Sequence, residues 1–233
     1  MHLLIKSDTR GNADHGWLQS RHSFSFGDYF EPTRMGFGCL RVINEDRVAP
    51  GQGFGTHGHQ DMEILSYVLA GELTHKDSLG TGSIIRAGDV QRMTAGTGVT
   101  HSEFNASAHA PVHFLQIWIL PEQSGLRPGY EQKTFARPQQ RDKLQLIASR
   151  DGRSGAVTLH QDVDLYRALP SAGMQTTHIA REGRCTWIQV AAGAVQVNGL
   201  ALDAGDGIGI HTPGPLELIC VSDAELLLFD MPS

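Results

Sequence analysis

The chain has 233 residues, 27 of them glycine, with 40% hydrophobic side chains and a formal net charge of −6. That length holds one large β domain or two smaller ones, with a core that needs no disulfide or metal staple. The acidic balance argues against nucleic acid as a main partner, since such domains usually carry a basic face.

In chain order, the start Met-His-Leu-Leu-Ile-Lys-Ser-Asp meets charge too soon for a signal peptide. No apolar run approaches the ~20 residues that span a membrane. Residues 17–30 gather Trp17, Phe24, Phe26, Tyr29 and Phe30, with His15 and His22 close by. They read as core and a hydrophobic lid. Phe24 and Phe26 alternate and would share one face of an extended segment. Residues 37–48 read as a strand with a turn at Asn44-Glu45-Asp46. Residues 50–55 are glycine-rich, and 56–69 read as one strand carrying His57 and His59. After a turn at Ala70-Gly71-Glu72, residues 73–77 form a strand with His75 on it. Short strands follow at 83–86, 90–93 and 99–104, and a strongly apolar one at 113–120. Residues 121–142 are polar and hold Pro121, Pro128 and Pro138. They read as a linker, or as a crossing segment with some helix. Strands resume at 144–149, 156–160 and 163–169. The short alternating segments cut by Gly, Pro, Asn and Asp are those of an all-β barrel or sandwich.

A faint repeat runs through the chain. The block from Glu63 through Ala70-Gly71-Glu72 to Ala87-Gly88-Asp89 is echoed by the block from Cys185 through Ala192-Gly193-Ala194 to Ala204-Gly205-Asp206. Each reads as strand, Ala-Gly turn, strand, then a small Ala-Gly-Asp turn. The copies differ where chemistry would sit. The second has His178 alone on the strand before the block, and His211 after it with no His-x-Glu. Any metal-binding half is therefore the first. The three cysteines, Cys39, Cys185 and Cys220, are odd in number and form no Cys-x-x-Cys pair. They suit core positions in a reducing compartment. A cytoplasmic monomer is the expectation.

Two clusters carry ligand types. His57-Gly58-His59 puts two imidazoles on one face of a strand, since side chains two apart share a face. His101-Ser102-Glu103 repeats that spacing some 40 residues later. Together they supply three nitrogens and one oxygen, a set suited to a divalent ion. Glu63 is a rival fourth ligand, sharing the parity of His57 and His59 if the strand is continuous. Its other role would be to orient a ligand ring from behind. Of the remaining histidines, assigned to surface or satisfied core roles, His113 is the first alternative, because its strand follows His101 closely.

The clusters resemble the paired motifs of the cupin superfamily. Gly51, His57, His59 and Glu63 match the first motif, with Gly71 one place late; Gly98, His101 and Asn105 match the second, with Gly96 where proline is usual. With His22-Ser-Phe-Ser-Phe-Gly27, residues 40–46, 53–63 and 94–103, the likeness sharpens to the pirin family and its bacterial quercetinase-like members. The resemblance implies a bicupin, two face-to-face jelly-roll-like β-barrels, here divided as residues 1–130 with the metal and 131–233 without it. It implies the ligands His57, His59, His101 and Glu103, and moves Glu63 out of the ligand set. The ion expected is iron, with nickel, cobalt, manganese, copper or zinc as alternatives. The activity implied is oxygen-dependent cleavage of flavonols such as quercetin, with dioxygen and a flat phenolic or enolic molecule as the partners; in such a reaction Glu103, a ligand that could share a proton, would act as general base. Animal pirins imply the other reading, a metal-binding regulatory protein with a protein partner.

Overall fold

The computed structural model describes residues 2–135 and 142–233, and among these there is no α-helix. Two compact units divide the chain: Gly11–Phe135 with Val157–Gln161, and Met1–Arg10 with Ala136–Ala156 and Asp162–Ser233. The boundary set by sequence at residue 130 falls inside a strand of the first unit. The exchange of the first ten residues and of 157–161 was not foreseen.

In the first unit the strands are β2 (Gly11–Asp14), β3 (Leu18–His22), β4 (Leu40–Val48), β5 (Gly53–His59), β6 (Glu63–Ala70), β7 (Glu72–Asp77), β8 (Gly82–Arg86), β9 (Asp89–Thr94), β10 (Val99–Asn105), β11 (Val112–Ile119) and β12 (Gly129–Thr134). They make a large sheet ordered β12-β9-β6-β11-β4-β3-β2 and a small one ordered β5-β10-β7-β8. Inward residues alternate along them. On β10, Val99, His101, Glu103 and Asn105 are buried while Thr100 and Phe104 are exposed. Leu18, Val48, Val68, Leu73, Val112 and Phe114 form one apolar cluster, with Trp17 and Phe54 packed against it.

The second unit begins with β1 (His2–Ile5). After β13 (Leu144–Ser149), and with β14 (Val157–Thr158) lying in the segment grouped with the first unit, it continues through β15 (Asp164–Ala168), β16 (Gln175–Ala180), β17 (Arg184–Ala192), β18 (Ala194–Val197), β19 (Leu200–Asp203), β20 (Gly207–Ile210), β21 (Gly214–Cys220) and β22 (Glu225–Pro232). One of its sheets contains the order β1-β20-β17-β22-β15-β13, and the other is β16-β21-β18-β19. This repeats the strand order of the first unit from β12 to β3, with β17 in the place of β6 and β21 in the place of β10.

The faint sequence repeat is therefore structural, and its signature residues do the same work twice. Gly71 and Gly193 sit at φ +81° and +78°. A Cβ at either would stand 2.9 Å from the Pro111 carbonyl oxygen or 2.2 Å from that of Asp223, so only glycine turns the chain there. Asp89 accepts the Arg86 N–H at 2.9 Å, and Asp206 accepts the Asp203 N–H at 2.9 Å, closing the same three-residue turn.

Three expectations are corrected. Asn44-Glu45-Asp46 is not a turn but the buried middle of β4. Residues 56–69 are not one strand. Asp61, at φ +48°, turns the chain between β5 and β6 and accepts the Gly125 N–H at 2.7 Å. Residues 129–134, expected in a linker or a partly helical crossing, form β12, paired with β9. The part of that stretch from 136 to 141, Pro138 included, lies outside the described residues.

Candidate metal centre

The antiparallel pairing of β10 with β5 sets His101 directly opposite His57, and Val99 opposite His59. The register then slips. Two steps along β10, from His101 to Glu103, match three along β5, from His57 to Phe54. That is a β-bulge, which re-aims side chains beside it. Here it brings the Gly55 carbonyl to 2.8 Å from His57 Nδ1. A carbonyl can only accept, so His57 carries its hydrogen on Nδ1 and leaves Nε2 bare.

Three Nε2 atoms converge. His101 Nε2 stands 3.0 Å from His59 Nε2 and 3.1 Å from His57 Nε2. At most one hydrogen fits between any two of these nitrogens, so lone pairs are left facing one another. Protonation is no remedy. Burial first, then the neighbouring His57, pulls His59 down to about 4. Burial, then His57, His59 and His75, pulls His101 down to about 3. A cation is the group that satisfies such a set. Nitrogens ~2.1 Å from one shared ion stand ~3.0 Å apart at right angles, so the spacing fits a divalent metal.

Glu103 stands in a second cluster, with His101 and His75. Its carboxylate is enclosed: Ser66 Oγ donates to Oε1 at 2.8 Å and Gln116 Nε2 donates to Oε2 at 2.8 Å. Burial is the largest influence on its carboxyl and raises it above the ordinary range, against those hydrogen bonds. Each oxygen keeps a free lone pair for an ion. Glu103 lies on the inner face of β10, as its spacing from His101 predicts, but His101 is the residue that the two groups of ligand types share.

Glu63 is elsewhere. It is fully buried, and its Oε2 accepts the His160 N–H at 3.1 Å and lies 3.2 Å from His160 Nδ1. It fastens the segment Val157–Gln161 within the first unit. Glu63→Ala is expected to leave the metal content of purified protein unchanged. It should cost about 1–3 kcal/mol of stability by leaving the His160 N–H without its acceptor; elemental analysis and denaturant melts check both. His113 is also elsewhere, with Nε2 2.9 Å from Glu45 Oε1.

A cavity of about 750 Å³ opens onto the cluster, lined among others by His57, His59, Glu103, Gln116, Trp118 and Phe26. That is the size of a pocket for a small organic molecule. Trp118 meets the His59 ring edge-on with centroids 5.0 Å apart, and Phe26 meets Trp118 at 5.3 Å. Of the two phenylalanines expected at a pocket, Phe26 lines it, whereas Phe24 is fully buried core. Part of the lining is polar. Asn44, Asp46, Ser20 and His22 belong to it, Ser20 donates to Asp46, and the Ser20 hydroxyl is 2.8 Å from His22 Nε2. Sequence reasoning missed Asn44 and Asp46 because Asn-Glu-Asp is turn chemistry. Their alternation with Val42 and Val48 on a strand was the available signal.

In the second unit the pairing of β21 with β18 sets Leu218 opposite Val197 and Cys220 opposite Val195. In the first, Glu103 is opposite His75 and Asn105 opposite Leu73. Leu216 and Leu218 thus stand where His101 and Glu103 stand in the first, within an apolar cluster that includes Val195, Val197, Ile208 and Cys220.

Fold and site define a two-cupin protein with a histidine cluster in its first barrel. The Pirin family matches residues 5–119, and the quercetinase C-terminal cupin domain matches residues 146–231. The chain belongs to the pirin family. It is 47% identical over 232 residues to quercetin 2,3-dioxygenase of Escherichia coli K12, covering 100% of this chain and 99% of that one. It is 40% identical to a pirin-like protein of Caulobacter vibrioides, covering 96% of each. Among solved structures it is similar to the Escherichia coli bacterial pirin YhhW in complex with nickel(II), with a TM-score of 0.95, 46% identity, and 100% and 99% of the two chains covered.

Proposed function

We propose that this protein is a metal-dependent dioxygenase acting on a flavonol or a similarly flat enol or phenol. His57, His59, His101 and Glu103 would hold the ion. The observation that carries this reading is the meeting of three converging imidazole Nε2 atoms with an aromatic-walled cavity. The names of the relatives, quercetin 2,3-dioxygenase, supply the substrate class, and the nickel(II) of the similar structure belongs to the divalent series that imidazole and carboxylate suit.

A bound divalent ion supplies Lewis acidity that lowers the pKa of a hydroxyl placed on it. The chain's own residues do the rest. Trp118, Phe26 and Phe54 offer ring faces and edges to a flat molecule and keep water from it. Glu103 takes the substrate's hydroxyl proton: burial raises its carboxyl above the ordinary carboxylate range, which makes the carboxylate the stronger base. Ser66 and Gln116 hold that carboxylate in place with one donor on each oxygen.

Oxygen uptake and carbon monoxide release with quercetin should appear when metal-free protein is reloaded with at least one of iron, nickel, cobalt, manganese, copper or zinc. Glu103→Gln should remove turnover while the circular dichroism stays that of the parent. No uptake with any of the six metals would contradict the assignment.

A further inference from the structure

We propose that Asp77 and His75 fix the tautomer of His101, so that a lone pair rather than an N–H on His101 Nε2 faces the histidine cluster. The inference rests on reading His101 as a metal ligand, and makes His75 and Asp77 positioning residues behind it.

The chain of contacts is directional. The Asp77 side chain has no solvent exposure. Its Oδ1 accepts the backbone N–H groups of Leu79 at 2.9 Å and Thr81 at 3.0 Å. Its Oδ2 lies 2.9 Å from His75 Nε2. A carboxylate has no hydrogen to give, so His75 carries its hydrogen on Nε2. The His75 Nδ1 that remains is an acceptor, and 3.5 Å away stands His101 Nδ1. For two neutral rings the hydrogen of that contact belongs to His101. His101 Nε2 is then bare, on the side where His57 and His59 converge.

Packing holds the relay in register. On β7 and β10, His75 is directly opposite Glu103 and Asp77 directly opposite His101, so all four side chains share one face. The His75 ring lies against Tyr130, with centroids 5.0 Å apart and planes at 34°. Tyr130 is itself held by Ser83 and Gln132. The second barrel supplies a comparison. Where it has Leu216 and Leu218 in place of His101 and Glu103, it has Val197 in place of His75, and Gly199 two residues on. The relay disappears together with the ligand column.

Two-bond nitrogen–proton correlation spectra of histidine rings read tautomers directly. In metal-free and zinc-loaded protein the expected hydrogens are on Nε2 of His75 and Nδ1 of His101. Asp77→Asn should invert both. The Leu79 and Thr81 amides hold the side-chain oxygen, which turns the new NH2 group toward His75 Nε2. That forces the His75 hydrogen to Nδ1 and the His101 hydrogen to Nε2. Zinc affinity should fall about 10–100-fold, the usual cost of losing an outer partner of a ligand. His75→Phe leaves the Asp77 turn intact and should weaken zinc to a similar degree. It decides the matter if Asp77→Asn fails to fold. The proposal is overturned by an Nε2 hydrogen on His101 of the parent protein, by a His75 resonance that shifts as a direct zinc ligand, or by unchanged zinc affinity in His75→Phe. The tautomers are read without metal, so a failure of zinc to bind the parent counts against the functional reading alone.

Discussion

His101→Ala is expected to strip the protein of metal while leaving its fold intact. His101 is the hub of the cluster: its Nε2 is the atom within 3.0 and 3.1 Å of the other two Nε2 atoms, and it comes from the middle of a strand paired on both sides. The two remaining imidazoles lie two residues apart on β5, and nothing from β10 would close the site over them except Glu103. Removing an outer partner of a ligand already costs 10–100-fold in affinity, so removing the central ligand should cost more than about 100-fold. β10 is held by its backbone ladders to β5 and β7, and alanine keeps these. Elemental analysis should show metal falling from one equivalent to a trace, with an unchanged far-ultraviolet spectrum. His109→Ala, at an exposed site near the end of the same strand, should change neither.

Asp46→Asn is expected to stabilise the metal-free protein, and increasingly so as pH rises. Asp46 is 4% exposed. Burial chiefly, with the charges of Glu103 and Glu45 adding and the Ser20 hydrogen bond opposing, pushes its carboxyl from 3.8 up to about 7. The folded value is above the unfolded one, so the unfolded chain gives up this proton more readily. The group's contribution to stability is fully present below about pH 4 and is lost as pH rises through 7. A shift of ~3 units at 1.36 kcal/mol each is a loss of about 4 kcal/mol by pH 8. Asparagine keeps an oxygen for Ser20 to donate to and has no charge to bury. The variant's Tm should therefore exceed the parent's at pH 8 by on the order of 10 °C, and by little at pH 4. A gap that shrinks between pH 4 and pH 8 would mean that Asp46 is ionised throughout.

The parts of the site legible in the sequence are those that follow from strand periodicity. His57 with His59, and His101 with Glu103, are pairs two residues apart, and a spacing of two is itself the signal of a shared face. The weak repeat told the two barrels apart, because the Ala-Gly turns and the Ala-Gly-Asp turns are set by backbone geometry that recurs wherever the fold recurs. The family likeness removed Glu63 from the ligand set. The structure gives the reason: Asp61 turns the chain, so Glu63 starts a strand of the other sheet.

What stayed hidden depends on pairing between distant strands. His75 and Asp77 belong to the site only because β7 pairs with β10; alone on its strand, His75 looks like any core histidine. Asn44 and Asp46 carry the residue types of a turn, and become strand residues because a cavity lies over them and Ser20 on β3 meets Asp46. β1 joins the second unit by pairing His2 with Ile210 and Ile5 with Gly207, and no local pattern announces a partner some 200 residues away. In each case the information resides in register, which period-2 alternation does not supply across strands.

The central claim, one divalent ion held by the histidine cluster of the first barrel, is tested most directly by anomalous scattering. Crystals of protein purified without a metal-chelating tag would be measured above and below the absorption edge of the metal found by elemental analysis. A single peak is expected ~2.0–2.2 Å from Nε2 of His57, His59 and His101 and from a carboxylate oxygen of Glu103. A peak on Glu63 or in the second barrel, or stoichiometric metal with no peak at the cluster, would contradict the claim.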